Sequence, residues 1–245
     1  MRPVRRGKSP QAMDFDPYDA AKPFLISRLG SYCSYCERRI ATQLAVEHIQ
    51  PKGLPAYSHL IGRWDNYLLA CVNCNSTKKD KDVVLADVLL PDRDNTFAAF
   101  EYRQDGSIVP SAEAKAAGVE KAARHTLSLT GLDKKISVAL DENGKQIAID
   151  RVKQRLDVWA IAEDAKQDVD TNPGNDALLR SVVSAAKGHG FFSIWLAVFR
   201  DNVEMCNRLI DAFEGTRDSL CFAPDSALPV SPAPNLDHLP EGGKI

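Results

Sequence analysis

Two cysteine pairs, Cys33 with Cys36 and Cys71 with Cys74, constrain this chain more than any other feature of it. A C-x-x-C turn brings both sulfurs to one side of a knuckle, and two knuckles complete the tetrahedron that Zn²⁺ accepts from four thiolates. The 34 residues between Cys36 and Cys71 must therefore fold back on themselves. Four thiolates close the coordination shell, so the zinc expected here is structural: it organises residues that have little apolar core of their own. Buried free thiols are the competing reading of the four. Cys206 and Cys221 lack a partner at such spacing and are expected to be core or half-exposed thiols.

Composition limits the setting. The chain has 245 residues, 44% hydrophobic and 26% charged, and no apolar run near the 18 residues of a membrane helix, so no membrane role is expected. "MRPVRRGKSP" is basic but is followed by "QAMDFDPYDAAK" and not by an apolar segment, which argues against a secretory signal. A cytoplasmic setting is expected, where thiols stay reduced and cysteines act as ligands rather than disulfides. A net charge of -2 argues against a general nucleic-acid coat protein. Local charge says more: Arg2, Arg5, Arg6 and Lys8 occur without an acid, and Lys78, Lys79 and Lys81 follow the second cysteine pair. The plainer reading of both runs is a disordered basic tail and a solvated helix face.

Along the chain, "DPYDAAKPFLISRLG" reads as a short helix capped by Gly30. "LAVEHIQPK" reads as a strand stopped by Pro51, and "NYLLAC" as a second strand. "CNSTKKDKDVVLADVLL" reads as a helix with Asn75 to Lys78 in its opening turns. Asp105-Gly106 marks a hairpin in "NTFAAFEYRQDGSIVP". From about Ala112 the period is helical, with one core stripe of Ile149, Val152, Leu156, Trp159 and Ala160. A second stripe comprises Trp195, Val198, Phe199, Cys206, Leu209, Ile210 and Phe213. The expected class is α+β: a small zinc-stabilised unit with a hairpin, then a larger helical region. Four parts are expected: a basic segment and helix at 1–30, the zinc unit with its hairpin at 31–111, a helical partner-docking or regulatory region at 112–221, and a proline-rich tail at 222–245, extended over the surface or disordered.

Taken in order, C-x-x-C, then EHIQP, then N-Y-L-L-A-C-x-x-C-N-S-T-K resembles the HNH endonuclease motif, across Tyr32 to Lys81, about a fifth of the chain. That family folds as a ββα unit around one catalytic metal and hydrolyses phosphodiester bonds, DNA being the expected substrate. Such hydrolysis needs a deprotonated water in line with the leaving oxygen and a cation for the charge that develops. A histidine suits the first task at neutral pH, and the resemblance gives it to His48. It makes Glu47 an oxygen ligand for Mg²⁺ or Mn²⁺ and Asn75 the second ligand, at a place where many members carry histidine. Asn66 would orient the imidazole and pin the loop, and Lys78 would approach a phosphate as a point charge. His59 is expected on the surface, and His125, His189 and His238 to be structural.

"SYCSYCERRI", "VEHIQPK" and "WDNYLLAC" are similar to the HNH nucleases of prokaryotic anti-phage systems of the Septu type and of some retron effectors, which work with an ABC-type ATPase. The chain has no Walker-type glycine loop, so such an ATPase would be a separate chain. Two other readings remain: a zinc-ribbon module that binds nucleic acid or protein without cutting, and a helical scaffold that zinc merely helps to fold. Glu47, His48 and Asn75 favour the nuclease, because a binding knuckle does not require them.

Overall fold

Three two-stranded antiparallel sheets and nine α-helices are assigned in the computed structural model, which describes residues 1–135, 138–140, 142, 146–148 and 151–245. Helix α1, Lys22–Leu29, buries Leu25 and Leu29 and stops at Gly30. There φ is 72°, and a Cβ would lie 2.7 Å from the Tyr32 ring, so only glycine fits the cap. Strands β1, Ala45–His48, and β2, Tyr67–Ala70, pair in the register Ala45 to Ala70 and His48 to Tyr67. Helix α2, Val72–Lys78, follows at once and completes a ββα unit.

The helix expected from Cys74 to Leu90 ends early, at Lys79, whose φ is 47°. Beyond the charged run 78–82 the chain buries Val83, Val88, Leu89 and Leu90 along a mostly extended path. Leu89 donates its amide to Thr126 Oγ1 at 2.8 Å, a tertiary partner that takes the place of a helical one.

Asn95 caps α3, Thr96–Ala99, and the expected hairpin is present as β3, Phe100–Tyr102, and β4, Ile108–Pro110, turning at Gly106 with φ 76°. Helices α4, Ala112–Ala116, and α5, Glu120–Thr130, follow. A further antiparallel pair, β5 Val138–Leu140 with β6 Gln146–Ala148, interrupts the region read as mostly helical. Four helices complete the chain: α6 Arg151–Thr171, α7 Asp176–His189, α8 Phe192–Val198 and α9 Val203–Ala212.

The stripe expected on α6 is displaced. Val152, Val158, Ala162 and Val169 are buried, together with Arg155; Leu156 and Trp159 are half-buried, Ala160 is exposed, and Ile149 lies outside the described residues. Arg155 takes an inward place because its guanidinium donates to the Gly106 carbonyl at 2.6 Å, and the long stem packs beneath it. The second stripe holds, with only Val198 half-buried, but it spans two helices divided at Asn202, which caps α9.

Neither end behaves as a loose tail. Met1 is fully buried, Arg2 and Arg6 are 4% and 2% exposed, and Ile245 is 1% exposed. The Met1 ammonium lies 3.0 Å from Glu37, Arg2 donates to Leu29 and Glu214 carbonyls, and Arg6 pairs with Asp92 at 2.9 Å. Arg2 and Arg6 are thus spent on internal carboxylates and carbonyls, so the basic segment is not the disordered tail of the plainer reading, although Lys8 is exposed. The proline-rich segment, expected to be extended or disordered, instead folds back through turns at 224–226, 236–237 and 240–241 and a Phe222–Pro229 bridge, and its end is anchored by the Asn95 amide on the Ile245 carbonyl and by Lys244 on the Leu85 and Val88 carbonyls. One cluster of buried side chains runs through all these parts. No helix among the described residues is long and apolar enough to cross a membrane.

Candidate metal centre and catalytic cleft

The first knuckle is stapled to β2: Ser34 donates its amide to the Leu69 carbonyl at 2.8 Å, and its hydroxyl accepts from the Leu69 amide at 3.2 Å. Cys71 ends β2 and caps α2, its sulfur accepting from the Cys74 amide. The four sulfurs of Cys33, Cys36, Cys71 and Cys74 are buried and lie within 4.8 Å of one another. Thiolates about 2.3 Å from a tetrahedral ion have S–S edges of about 3.8 Å. The Cys36–Cys71 edge is 3.7 Å, as such a tetrahedron requires, and the four-thiolate donor set suits zinc.

Two cations that the sequence reading did not assign sit against these sulfurs. Arg151, at the start of α6, donates to Cys74 Sγ at 3.1 Å. Burial works against the charge of Arg38, but Cys36 and Cys71 beside it outweigh that and raise its pKa. Together they would offset the residual negative charge of four thiolates on a zinc ion.

Immediately beside this centre, a cleft of about 500 Å³ is lined by Glu47, His48, Asn75 and Lys78, with Tyr18, Lys22, Lys52 and Lys79 among its other walls. The strand period alone would send Glu47 and His48 to opposite faces of β1. They share the cleft because β1 ends at His48 and α2 closes over that end. Glu47 is 3% exposed; its Oε1 accepts from Lys78 Nζ at 2.9 Å and from the Tyr35 hydroxyl at 3.5 Å. Burial pushes its carboxyl above the ordinary glutamate range, and Lys78 pulls it back only part of the way.

His48 is 6% exposed, and its Nε2 lies 3.0 Å from the Ile61 carbonyl. A carbonyl can only accept, so Nε2 carries the proton and the lone pair of the neutral imidazole is on Nδ1. Burial lowers the His48 pKa and the Ile61 bond only partly restores it, which keeps the ring neutral at pH 7.

Asn66 acts on the loop and not directly on the imidazole. Its Oδ1 accepts from the Gln50 amide at 2.8 Å, while its Nδ2 donates to the Gln50 and Leu60 carbonyls at 3.0 and 3.3 Å. Leu60 precedes the residue whose carbonyl holds His48, so any effect on the ring passes through the backbone. Lys78 departs further from expectation. It is 2% exposed and its ammonium is engaged by Glu47 and, at 2.8 Å, by the His48 carbonyl, so it does not stand free for a phosphate. An ammonium on a stem buried in α2 needs internal acceptors, and these two supply them. Asn75 is half-buried on the cleft wall, so a carboxylate, from Glu47, and a side-chain amide line the same cleft. His59 is exposed on the loop, and His125, His189 and His238 are exposed elsewhere. Cys206 and Cys221 are buried, and burial pushes their thiols up to about 12 and about 11.

Residues 33–81 match the family model described as HNH endonuclease. No curated protein matches the chain. The matched residues hold both the thiolate cluster and the four cleft residues Glu47, His48, Asn75 and Lys78.

Proposed function

We propose that the chain is a metal-dependent endonuclease that hydrolyses DNA phosphodiester bonds in the cleft beside its thiolate cluster. The observation that carries this reading is the placement of His48: its Nε2 on the Ile61 carbonyl, its ring in the same cleft as Glu47 and Asn75. Its Nδ1 takes a proton from water as the water oxygen bonds to phosphorus; the P–O3′ bond breaks and the departing alkoxide is protonated by solvent. The products are a 5′-phosphate and a 3′-hydroxyl. A divalent ion held by Glu47 and Asn75 would supply positive charge to the phosphate and the leaving oxygen. Lys78 serves by holding the Glu47 carboxylate, and the cations of Lys22, Lys52 and Lys79 on the cleft wall meet neighbouring phosphates. Zinc on the four cysteines keeps β2, α2 and the first knuckle in register.

The test is plasmid nicking by the zinc-loaded protein with added Mg²⁺ or Mn²⁺. His48→Ala is expected to lower cleavage by about 10³-fold or more with zinc content unchanged. Retained nicking by this variant removes His48 as the base. No cleavage by the wild type with either ion favours a binding module instead.

We further infer that this nuclease is the effector of a prokaryotic anti-phage system, working with a separate ABC-type ATPase that docks on residues 112–221. The support is the resemblance of "SYCSYCERRI", "VEHIQPK" and "WDNYLLAC" to such nucleases. Phage plating on cells carrying both genes, with wild type or His48→Ala, checks it: protection that survives the substitution rules it out.

A further inference from the structure

The imidazole of His48 is held by three groups, and one of them comes from outside the residues that match the nuclease family. Within the matched region, Tyr67 sits opposite His48 in the β1–β2 register, its ring 5.2 Å away at 89°. The Tyr67 hydroxyl donates to the Ile61 carbonyl at 2.5 Å, the same oxygen that takes His48 Nε2. The third group is Tyr18, at the start of the short 3-10 turn before α1, whose ring lies 4.8 Å from the imidazole at 70°. Edge-to-face contacts at these separations restrain a ring's tilt as well as its position.

Tyr18 is itself restrained. Lys52 donates to its hydroxyl at 2.7 Å, and the ammonium lies 4.1 Å from its ring centroid. Tyr18 and Lys52 both line the cleft, one brought by the N-terminal segment and the other by the turn after β1. The hydrogen bond to Ile61 alone leaves the imidazole free to swing about the Nε2···O line. Two rings packed against the imidazole, at 4.8 and 5.2 Å, oppose that motion.

We propose that Tyr18 is a positioning residue for His48: its ring and that of Tyr67 clamp the imidazole, so that Nε2 stays on the Ile61 carbonyl and Nδ1 is presented to the attacking water. The water half of this statement rests on the nuclease reading; the clamp does not. The role belongs to the aromatic face of Tyr18, and the hydroxyl bond to Lys52 is secondary.

Full-length, zinc-loaded protein with ¹⁵N-labelled histidine separates the two. His48 ring nitrogens, assigned by their loss in His48→Gln, are expected to show one tautomer with the proton on Nε2 in the wild type. Tyr18→Leu removes the ring; we expect a mixture of tautomers and a fall in kcat of about 10- to 100-fold with KM changed less than about twofold, the penalty of a misaimed base. Tyr18→Phe keeps the ring and is expected to recover the single tautomer and most of the rate. Tyr18→Met, of similar length and without a ring, replaces Tyr18→Leu if that variant loses zinc. A single tautomer with undiminished kcat in the ringless variant overturns the proposal. So does Tyr18→Phe falling as far as Tyr18→Leu, because the hydroxyl would then be the group that matters. If the wild type does not cut DNA, the nuclease reading fails, while the tautomer comparison still decides whether Tyr18 clamps His48.

Discussion

The matched unit at 33–81 and the helices that follow it share one buried cluster but differ in what they add to it. The unit has two four-residue strands and a seven-residue helix, lengths at which neither a hairpin nor a helix persists in water alone. Beyond its share of the buried cluster, which includes Ile49 and Tyr67 to Ala70, its geometry depends on a few directed contacts: four sulfurs, the Asn66 amide across the loop, and Lys78 on Glu47. Helices α6 to α9, by contrast, bury Val158, Val182, Trp195, Leu209 and Ile210 against many apolar neighbours. Directed contacts fail all at once, whereas distributed packing loses stability in proportion to the volume removed. The seam between the two is polar: Glu37, in the first knuckle, accepts from the Ser193 amide and hydroxyl at 2.7 and 2.6 Å and from Tyr102 at 3.0 Å.

The largest effect is expected where the directed contacts converge. Cys71→Ser removes a metal ligand while leaving a hydroxyl that can still cap α2, and should release zinc and unfold the matched unit, since binding energy here is folding energy. Metal analysis and far-UV circular dichroism check this; a variant that keeps its metal and its melting profile would break the contrast.

Next is the buried ion pair. Lys78→Met leaves Glu47 without its cation and should cost about 3–5 kcal/mol, reduced to the extent that Glu47 takes up a proton. Adding Glu47→Gln should restore much of that loss in denaturant titration. Equal stabilities for the single and double variants would mean the pair is not coupled.

In the helices, Leu209→Ala should cost about 2–5 kcal/mol, a cavity penalty, with zinc retained. A calorimetric scan sharpens the comparison. Since one buried cluster runs through both regions, a single transition at a lower temperature is expected; two transitions would show that the regions melt apart.

The smallest effect is at the anchored C-terminal end. Burial raises the Asp94 carboxyl to about 6 from an ordinary value near 3.8, despite Lys244 nearby. An acid with a raised folded pKa binds more protons folded than unfolded between those values, so stability falls as pH rises through that window. Asp94→Asn should flatten this slope in melting temperatures measured from pH 4 to 6.5. An unchanged slope would assign it to another group.

Much of the site was legible because its signals are local. The C-x-x-C spacing dictates a knuckle, Asp105-Gly106 a turn, and Gly30 a left-handed cap, each through backbone sterics that act within a few residues. Where α2 stops was not legible, because "DVVLADVLL" carries a helical pattern and the partner that overrides it, Thr126, lies 37 residues from Leu89. The inward turn of Arg155 on α6 was hidden for the same reason.

The sequence by itself determined the thiolate set, the strand, strand, helix order around it, and the acid, imidazole and amide that share its cleft, since spacing and residue chemistry suffice for these. Tertiary structure alone decided that Arg2 and Arg6 face inward, that Lys78 holds Glu47 instead of standing free, and that Tyr18 lies on His48. Those outcomes depend on which charges and rings meet across tens of residues, and a charged or aromatic side chain looks the same in sequence whether its partner is water or the interior.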